Sequence, residues 1–351
     1  MLFRYPISDV HIHLFDPREA DACISMVDYC GYTNWAFMAC TVIRSPFAVV
    51  QNLLCALMKL REKGRCQAFG SFHYDGGTVP EAEELLRQIR WLDEAGFDGV
   101  KMLDGKPGVR AGLGIPLDAP NYDKMLDYAQ RTRFPILYHI NDPVEFWYRD
   151  KLPQWAVEKN FFYGDGRFPH KFQIDEETFG FLRKHPNLNL CIPHFFFISD
   201  QPGLCCEMLD RYPNLFFDIT PGWEMFENFA KDREYWRGFF SRYSHKILFG
   251  TDTFSDHWRE TVTCLQRVLE TDEVFTAFEE HCVGLDLPEP VLRDLYQNNY
   301  RRFIHRTDKP LNVDMVLDYA DTLYGRVPED EHRPLVLKTI DQLKAEIAAY
   351  R

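Results

Sequence analysis

The stretch Ser8-Asp9-Val10-His11-Ile12-His13-Leu14-Phe15-Asp16-Pro17 opens the regular structure of the chain. It reads as a short apolar strand that ends in the turn signal Phe15-Asp16-Pro17. Residues two apart on a strand face the same way, so His11 and His13 present two imidazoles to one side at nearly the same height. The pair sits at the strand's C-terminal end, where it makes half a metal site.

Outward from that strand, the pattern repeats. A helix is expected over 18–29 with Gly31 as its terminator, a buried strand over 35–42, and a helical stretch over 46–62. A third strand at 66–72 precedes a helix at 80–95 that has an acidic first turn, the apolar stripe Leu85, Ile89, Leu92, and Gly96 at its end. The fourth strand is 97–103, followed by a Gly- and Pro-rich loop over 104–120 and a helix of about ten residues from Asn121. Four further strands are expected at 134–139, 188–194, 215–219 and 247–252. The joints His185-Pro186-Asn187-Leu188 and Tyr212-Pro213-Asn214-Leu215 use one helix-to-strand turn twice.

Eight short apolar strands separated by helical patterns suit a parallel sheet covered on its outer face. Closed, they make an α/β protein of the (β/α)8 TIM-barrel class; open, they make a doubly wound sheet. The polar residues favour closure. His11 and His13 end the first strand, Lys101 nears the end of the fourth, His139 ends the fifth, His194 the sixth and Asp252 the eighth. In a barrel those ends meet on one rim, the face where this fold keeps its active sites. Singly, each has an ordinary explanation: a surface pair, a hydrogen-bonded core histidine, an aspartate capping the next helix. Together they form a nitrogen and oxygen donor set suited to zinc, and also to iron, manganese or cobalt.

The formal net charge of -13 and pI near 5.4 argue against nucleic acid or an anionic membrane as partner. The ten cysteines are scattered without a Cys-x-x-Cys, so they read as reduced, packed thiols. The first strand begins close to Met1 and no apolar run is long enough to span a bilayer, so a cytoplasmic protein is expected. We divide the 351 residues into a metal-dependent barrel, 1–305, and a helical extension, 306–351, packed on the barrel or on a second subunit of a homo-oligomer.

The ordered set resembles the amidohydrolase superfamily, in particular its amidohydrolase-related branch of metal-dependent decarboxylases, hydratases and lactonases. The resemblance runs over about 9–303: the His-x-His opening, single histidines closing strands five and six, Thr251-Asp252 after Leu248-Phe249-Gly250, and a closing helix in Gln297-Asn298-Asn299-Tyr300-Arg301-Arg302-Phe303. It implies His11, His13 and His139 as metal ligands, and Asp252 as a ligand that also takes a proton from water. His194 would be a catalytic histidine beside one metal, or a ligand where there are two. Lys101 would be a carboxylated bridge between two metals or a substrate-binding cation; its orientation is open at this stage. One divalent ion, most simply zinc, is the expectation.

Zinc lowers the pKa of water that it binds towards about 7, which suits attack on a carbonyl at neutral pH. The expected activity is hydrolysis of a lactone, ester or amide in a small, carboxylated substrate, towards which the lactonase-like Leu14-Phe15-Asp16-Pro17 tilts the resemblance. A lyase that decarboxylates or hydrates an unsaturated acid is the alternative; a phosphoesterase, a nuclease and a catalytically silent barrel rank below it. The insertion 141–173 carries Phe146, Trp147, Tyr148, Trp155, Phe161, Phe162, Tyr163 and Phe168, as a lid, an oligomer contact or simple packing would require. Phe195-Phe196-Phe197 and Trp223 suggest an apolar or planar substrate, with Trp223 and Lys101 as binding residues. Arg149, Arg167 and Lys171 are candidates to meet a carboxylate, and His257 to overlook the site.

Overall fold

The computed structural model describes residues 2–43, 45–253, 258–305 and 309–351, with the backbone alone at Gly76 and Trp223. His257 and the start of the helical extension at 306 therefore lie outside the described residues. Eight parallel strands follow in sequence order: β1 Ile7–Ile12, β2 Tyr32–Met38, β3 Cys66–Gly70, β4 Gly99–Gly105, β5 Ile136–Ile140, β6 Leu190–Ile192, β7 Leu215–Asp218 and β8 Ile247–Leu248. The last closes on the first: Val10 N donates to Phe249 O (3.0 Å), Asp252 N to His11 O (2.8 Å), and His13 N to Thr253 O (2.9 Å). A doubly wound sheet would reverse its strand order, whereas this one closes into a (β/α)8 barrel.

The period of two sorts each strand's side chains. Trp35, Phe37, Val100, Met102, Ile136 and Tyr138 face the helices, within the large outer core. Val10, Ala36, Met38, Phe69, Leu137, Cys191, Phe216 and Leu248 fill the barrel, joined by Tyr300, Phe303 and Ile304 of the closing helix and its end. Lys101 pairs in register with Leu137, which gives it the inward parity that the sequence left open. A polar layer thus lies above an apolar plug. Phe303 is fully buried, with ring centroids 5.9 Å from Phe69 and 5.6 Å from Phe216. Phe303→Ala is expected to cost about 3–5 kcal/mol, read as a lower denaturant midpoint. A loss below about 1 kcal/mol would mean that the plug contributes little.

Helices Ala20–Cys30, Gln51–Arg61 and Ala82–Glu94 fall where expected, and Gly31 ends the first in the left-handed region at φ 70°. The expected loop over 104–120 instead contains the helix Pro107–Leu113, with proline at its first position and Gly114 at φ 76° past its end. Those two residues punctuate a short helix rather than a loop. A second difference is the hairpin β9 Val274–Ala277 and β10 Glu280–Val283, turned by Phe278 (φ 54°) and Glu279 (φ 67°). Neither is the glycine or asparagine that marks such a turn, so no signal for it exists in the sequence. Helices Val313–Leu323 and Arg333–Ala348 add Val316, Leu317, Leu323, Ile340, Leu343 and Ile347 to the outer core. The insertion's Phe146, Trp147, Ala156 and Tyr163 form a small core of their own, against which Trp155, Phe161 and Phe168 pack.

Candidate metal centre and active site

The strand that opens the chain places its histidine nitrogens face to face, His11 Nε2 3.2 Å from His13 Nε2. Each imidazole is turned by a partner on its other nitrogen: Asp218 Oδ2 at 3.1 Å from His11 Nδ1, and Met38 O at 2.9 Å from His13 Nδ1. A carbonyl can only accept, so His13 carries a proton on Nδ1; burial opposes a second proton, but Cys40 and Asp252 raise the His13 pKa to about 9, so a metal ion must displace the proton on Nε2 to bind there. Asp252 Oδ1 completes the group, 3.4 Å from His11 Nε2 and 3.1 Å from His13 Nε2. The three donor atoms lie within 4.8 Å of one another.

Asp252 is held from below by its backbone, and Thr251 before it is anchored to Asp9 through Oγ1 (2.7 Å) and N (3.2 Å). Asp9 also accepts from His11 N at 2.9 Å, so a single carboxylate ties β1 to the strand that closes on it. Burial works against the charge of Asp252, but His11 and His13 beside it outweigh that and hold its pKa well below the usual carboxylate range. With its side chain 34% exposed, Asp252 is the member of the group that meets the cavity.

His194 follows β6 and stands 3.7 Å from Asp252 Oδ2 through Nε2, which is buried and has no hydrogen-bond partner. Its Nδ1 faces Thr220 O at 3.2 Å, so the proton sits there and Nε2 is an acceptor. The ring is clamped by Phe197, stacked at 4.8 Å, at the end of a left-handed run: φ is 57° at His194, 50° at Phe195, 56° at Phe196 and 51° at Phe197. Such a run in non-glycine residues costs about 1–3 kcal/mol per residue and persists only where packing over-determines it. Phe195 supplies part of that packing, against Phe217, Phe229 and Trp236. Only Phe197 of the three phenylalanines reaches the cavity.

His139 ends β5 with its ring 5.0 Å from that of His194, but its Nε2 faces Asn141 O at 3.0 Å and Asp142 Oδ1 at 3.4 Å. It stands outside the three-donor group among the described residues. Burial pushes both His139 and His194 down to about 4, so both are neutral at pH 7. Lys101 is fully buried behind His11, its Nζ 2.8 Å from His11 Nε2, and burial lowers its pKa. It is not among the residues that line the cavity. Trp223 begins the helix Trp223–Lys231, but its side chain lies outside the described residues.

Asp218 was passed over in the sequence, although an acid at the end of Leu215-Phe216-Phe217 is a signal in itself. It accepts from His194 N (2.9 Å) and Thr220 N (3.0 Å) as well as facing His11, and so sets two catalytic candidates at once. Above the donors opens a cavity of about 330 Å³ between Phe197, the insertion's Phe146, Trp155 and Phe161, and the loop at Pro221-Gly222. Its ionisable walls are Asp142, Glu145, Glu224, Glu227, Asp252 and Glu280 against Lys106 and Lys151. Lys106 is already committed to Asp142, at 2.9 and 3.1 Å. Arg149, Arg167 and Lys171 do not line it; Lys171 is buried against Asp175 at 3.2 Å.

Comparison with known proteins supports the same reading. The family model described as Amidohydrolase matches residues 9–306. Among solved structures, 2,6-dihydroxybenzoate decarboxylase complexed with 2,6-dihydroxybenzoate is 13% identical, with 86% of this chain and 99% of that one covered and a TM-score of 0.52. The 4-oxalomesaconate hydratase from Rhodopseudomonas palustris is also 13% identical, with 90% and 99% covered and a TM-score of 0.52. Dihydroorotase in complex with 5-fluoroorotic acid from Saccharomyces cerevisiae is 11% identical, with 88% and 86% covered and a TM-score of 0.46. At these identities the likeness is one of fold. No curated protein matches. No helix of the described residues is long and apolar enough to cross a membrane. The chain belongs to the amidohydrolase family.

Proposed function

We propose that this protein is a metal-dependent hydrolase that uses water to cleave a lactone, ester or amide bond in a small substrate. The observation that carries the reading is the convergence of His11 Nε2, His13 Nε2 and Asp252 Oδ1 beneath an accessible cavity, with the unpartnered Nε2 of His194 alongside. The donors fit a divalent ion: Met38 O holds a proton on His13 Nδ1, so that Nε2 is the nitrogen offered once its own proton is displaced, and the oxygen comes from a carboxylate held ionised. His11, His13 and Asp252 would hold it, with His139 a further ligand if its ring turns from Asn141. The ion, zinc in the simplest reading, would supply Lewis acidity, making water a nucleophile at neutral pH.

The chain's own groups then divide the remaining work. Asp252 Oδ2 takes the proton that the attacking water loses, and His194 Nε2, 3.7 Å away, receives it and returns it to the departing oxygen or nitrogen. Phe197, Phe146 and Trp155 exclude bulk water from the carbonyl.

Hydrolysis is favoured over decarboxylation or hydration of an unsaturated acid by the cavity walls. A lyase of that kind must seat a substrate carboxylate, and here it would meet Glu145, Glu224, Glu227 and Glu280, with Lys106 already paired and Lys151 at the exposed edge as the other lining lysine. The same walls weigh against the carboxylated substrate that the sequence suggested. The deciding assay is a panel of lactones, esters and amides beside unsaturated carboxylic acids, scored for acid release and for carbon dioxide. Carbon dioxide without a hydrolytic product would overturn the reading. Metal analysis tests the assignment of His194: His194→Ala should keep about one metal per chain, as the native protein does, while losing activity by about 10²–10⁴-fold. A fall in metal content in that variant would make His194 a ligand.

A further inference from the structure

The proposed hydrolysis leaves unused the most unusual feature of the cavity, a wall of carboxylates that outnumber the lining cations Lys106 and Lys151. Glu145 comes from the turn Val144–Trp147, Glu224 and Glu227 lie three residues apart on the helix Trp223–Lys231, and Glu280 comes from β10. Glu227 has Lys231 at 3.7 Å; Glu145, Glu224 and Glu280 have no ion-pair partner among the described residues. Their charges oppose one another: burial raises the Glu280 carboxyl, and Glu227 and Glu145 add to it.

Glu224 is the most telling of the four. Its Oε1 is buried at the cavity wall and accepts no hydrogen bond. Burial pushes this carboxyl up to about 8; its own backbone N–H and Lys171 oppose the rise, and Glu145 and Asp142 add to it. Unlike the unpartnered atoms of the core, such as Tyr138 OH and Asn189 Oδ1, this one belongs to a cavity-lining residue, where a group that arrives from outside can reach it. Phe146, Trp155 and Phe161 line the same cavity, with Phe146 5.6 Å from Trp155 and 6.2 Å from Phe161 between ring centroids. Aromatic faces attract cations, and the protein's own Lys106 Nζ already lies 4.9 Å over Phe161. The four glutamates do not form a group compact enough for a metal ion among the described residues. Carboxylates that share a cavity with aromatic rings suit an ammonium on an apolar stem.

We infer that the substrate carries a protonated amine, held between the Glu145, Glu224, Glu227 and Glu280 wall and the insertion's aromatic rings, with the bond to be cleaved at the Asp252 end of the cavity. The inference rests on the hydrolase reading for its reaction, but not for its binding chemistry. Binding of the amine draws Glu224 into its ionised form, so a proton leaves as the ligand enters. Glu145, Lys171 and Asp142 act on that carboxyl and set the size of the effect, with Glu227 and Glu280 elsewhere on the same cavity lining.

The test is calorimetric titration of the metal-loaded protein with n-hexylammonium, and with hexanoate as the anion of similar size. The expected result is that n-hexylammonium binds and hexanoate does not, that affinity rises with pH up to about 8, and that a proton is released. Glu224→Gln, which keeps the shape of the protonated side chain, should weaken n-hexylammonium about tenfold or more with metal content unchanged; Glu280→Gln should weaken it less. Preferential binding of hexanoate, or an unchanged affinity in Glu224→Gln, overturns the inference. Ethyl 6-aminohexanoate and ethyl hexanoate separate the two readings. Glu224-dependent binding of n-hexylammonium with neither ester cleaved upholds the amine site and sinks hydrolysis. Equal cleavage of both esters without n-hexylammonium binding does the reverse.

Discussion

Asp252→Asn is expected to lower turnover by about a thousandfold, within the range of about 10²–10⁴ for loss of a positioned base, while the barrel keeps its melting temperature. The fold does not depend on this side chain. Asp252 is placed by its backbone N–H on His11 O at 2.8 Å and by Thr251 on Asp9, neither of which the substitution touches. The asparagine is of the same size, yet it has no charge and cannot take a proton at pH 7. It also binds a divalent ion less well, so kcat should be measured with saturating metal and the metal counted in the same sample. A kcat within tenfold of the native value at full metal occupancy would remove Asp252 from the role proposed for it.

The two halves of the site were unequally legible in the sequence. Residues on strand ends carry their own addresses. Once β1 to β8 are read as successive parallel strands, the parity of each strand and the shared rim bring His11, His13, His194 and Asp252 together without any knowledge of loops. Lys101 needed one more fact, the register opposite Leu137, which no local pattern supplies. Asp218 was visible as an acid in an apolar strand, but a single buried acid does not say which of its neighbours it serves. In the structure it serves His11, His194 and Thr220 together.

The walls of the cavity could not be read in the same way. Glu145, Glu224 and Glu280 come from a turn, a helix and a hairpin, and only tertiary contact makes them one surface. The hairpin itself depends on Phe278 and Glu279 adopting left-handed conformations that their side chains disfavour, so packing and not local propensity forms it. The aromatic insertion was conspicuous in composition, but composition could not tell a lid from a packed core. In the structure Phe146 belongs both to the insertion's own core and to the cavity wall. Substrate preference therefore depends on the segments whose sequence is least informative, while the reaction depends on those whose sequence is most so.

The His11→Ala, His13→Ala double variant is expected to bind no metal after purification without added metal, where the native protein should carry about one ion per chain. Removing both imidazoles leaves Asp252 the single member of the three-donor group, and one carboxylate does not retain a divalent ion against water. The stability cost should fall unevenly on the two positions. Asp218 keeps the backbone N–H groups of His194 and Thr220 when His11 is lost, but the buried Lys101 loses its contact at 2.8 Å and is left in the barrel interior. A buried ammonium that loses its hydrogen-bond acceptor, with Asp252 and Asp218 still attracting it, is destabilising by about 3 kcal/mol. His13→Ala alone frees Met38 O, Cys40 Sγ and one edge of Asp252 and removes the ring stacked on Phe15, a cost of about 1–3 kcal/mol. Metal analysis and denaturation of the single and double variants separate these effects: His13→Ala should lose the metal at small cost in stability, and the double variant should lose both. A full equivalent of metal in the double variant would refute the ligand assignment, and with it the place of β1 at the centre of the chemistry.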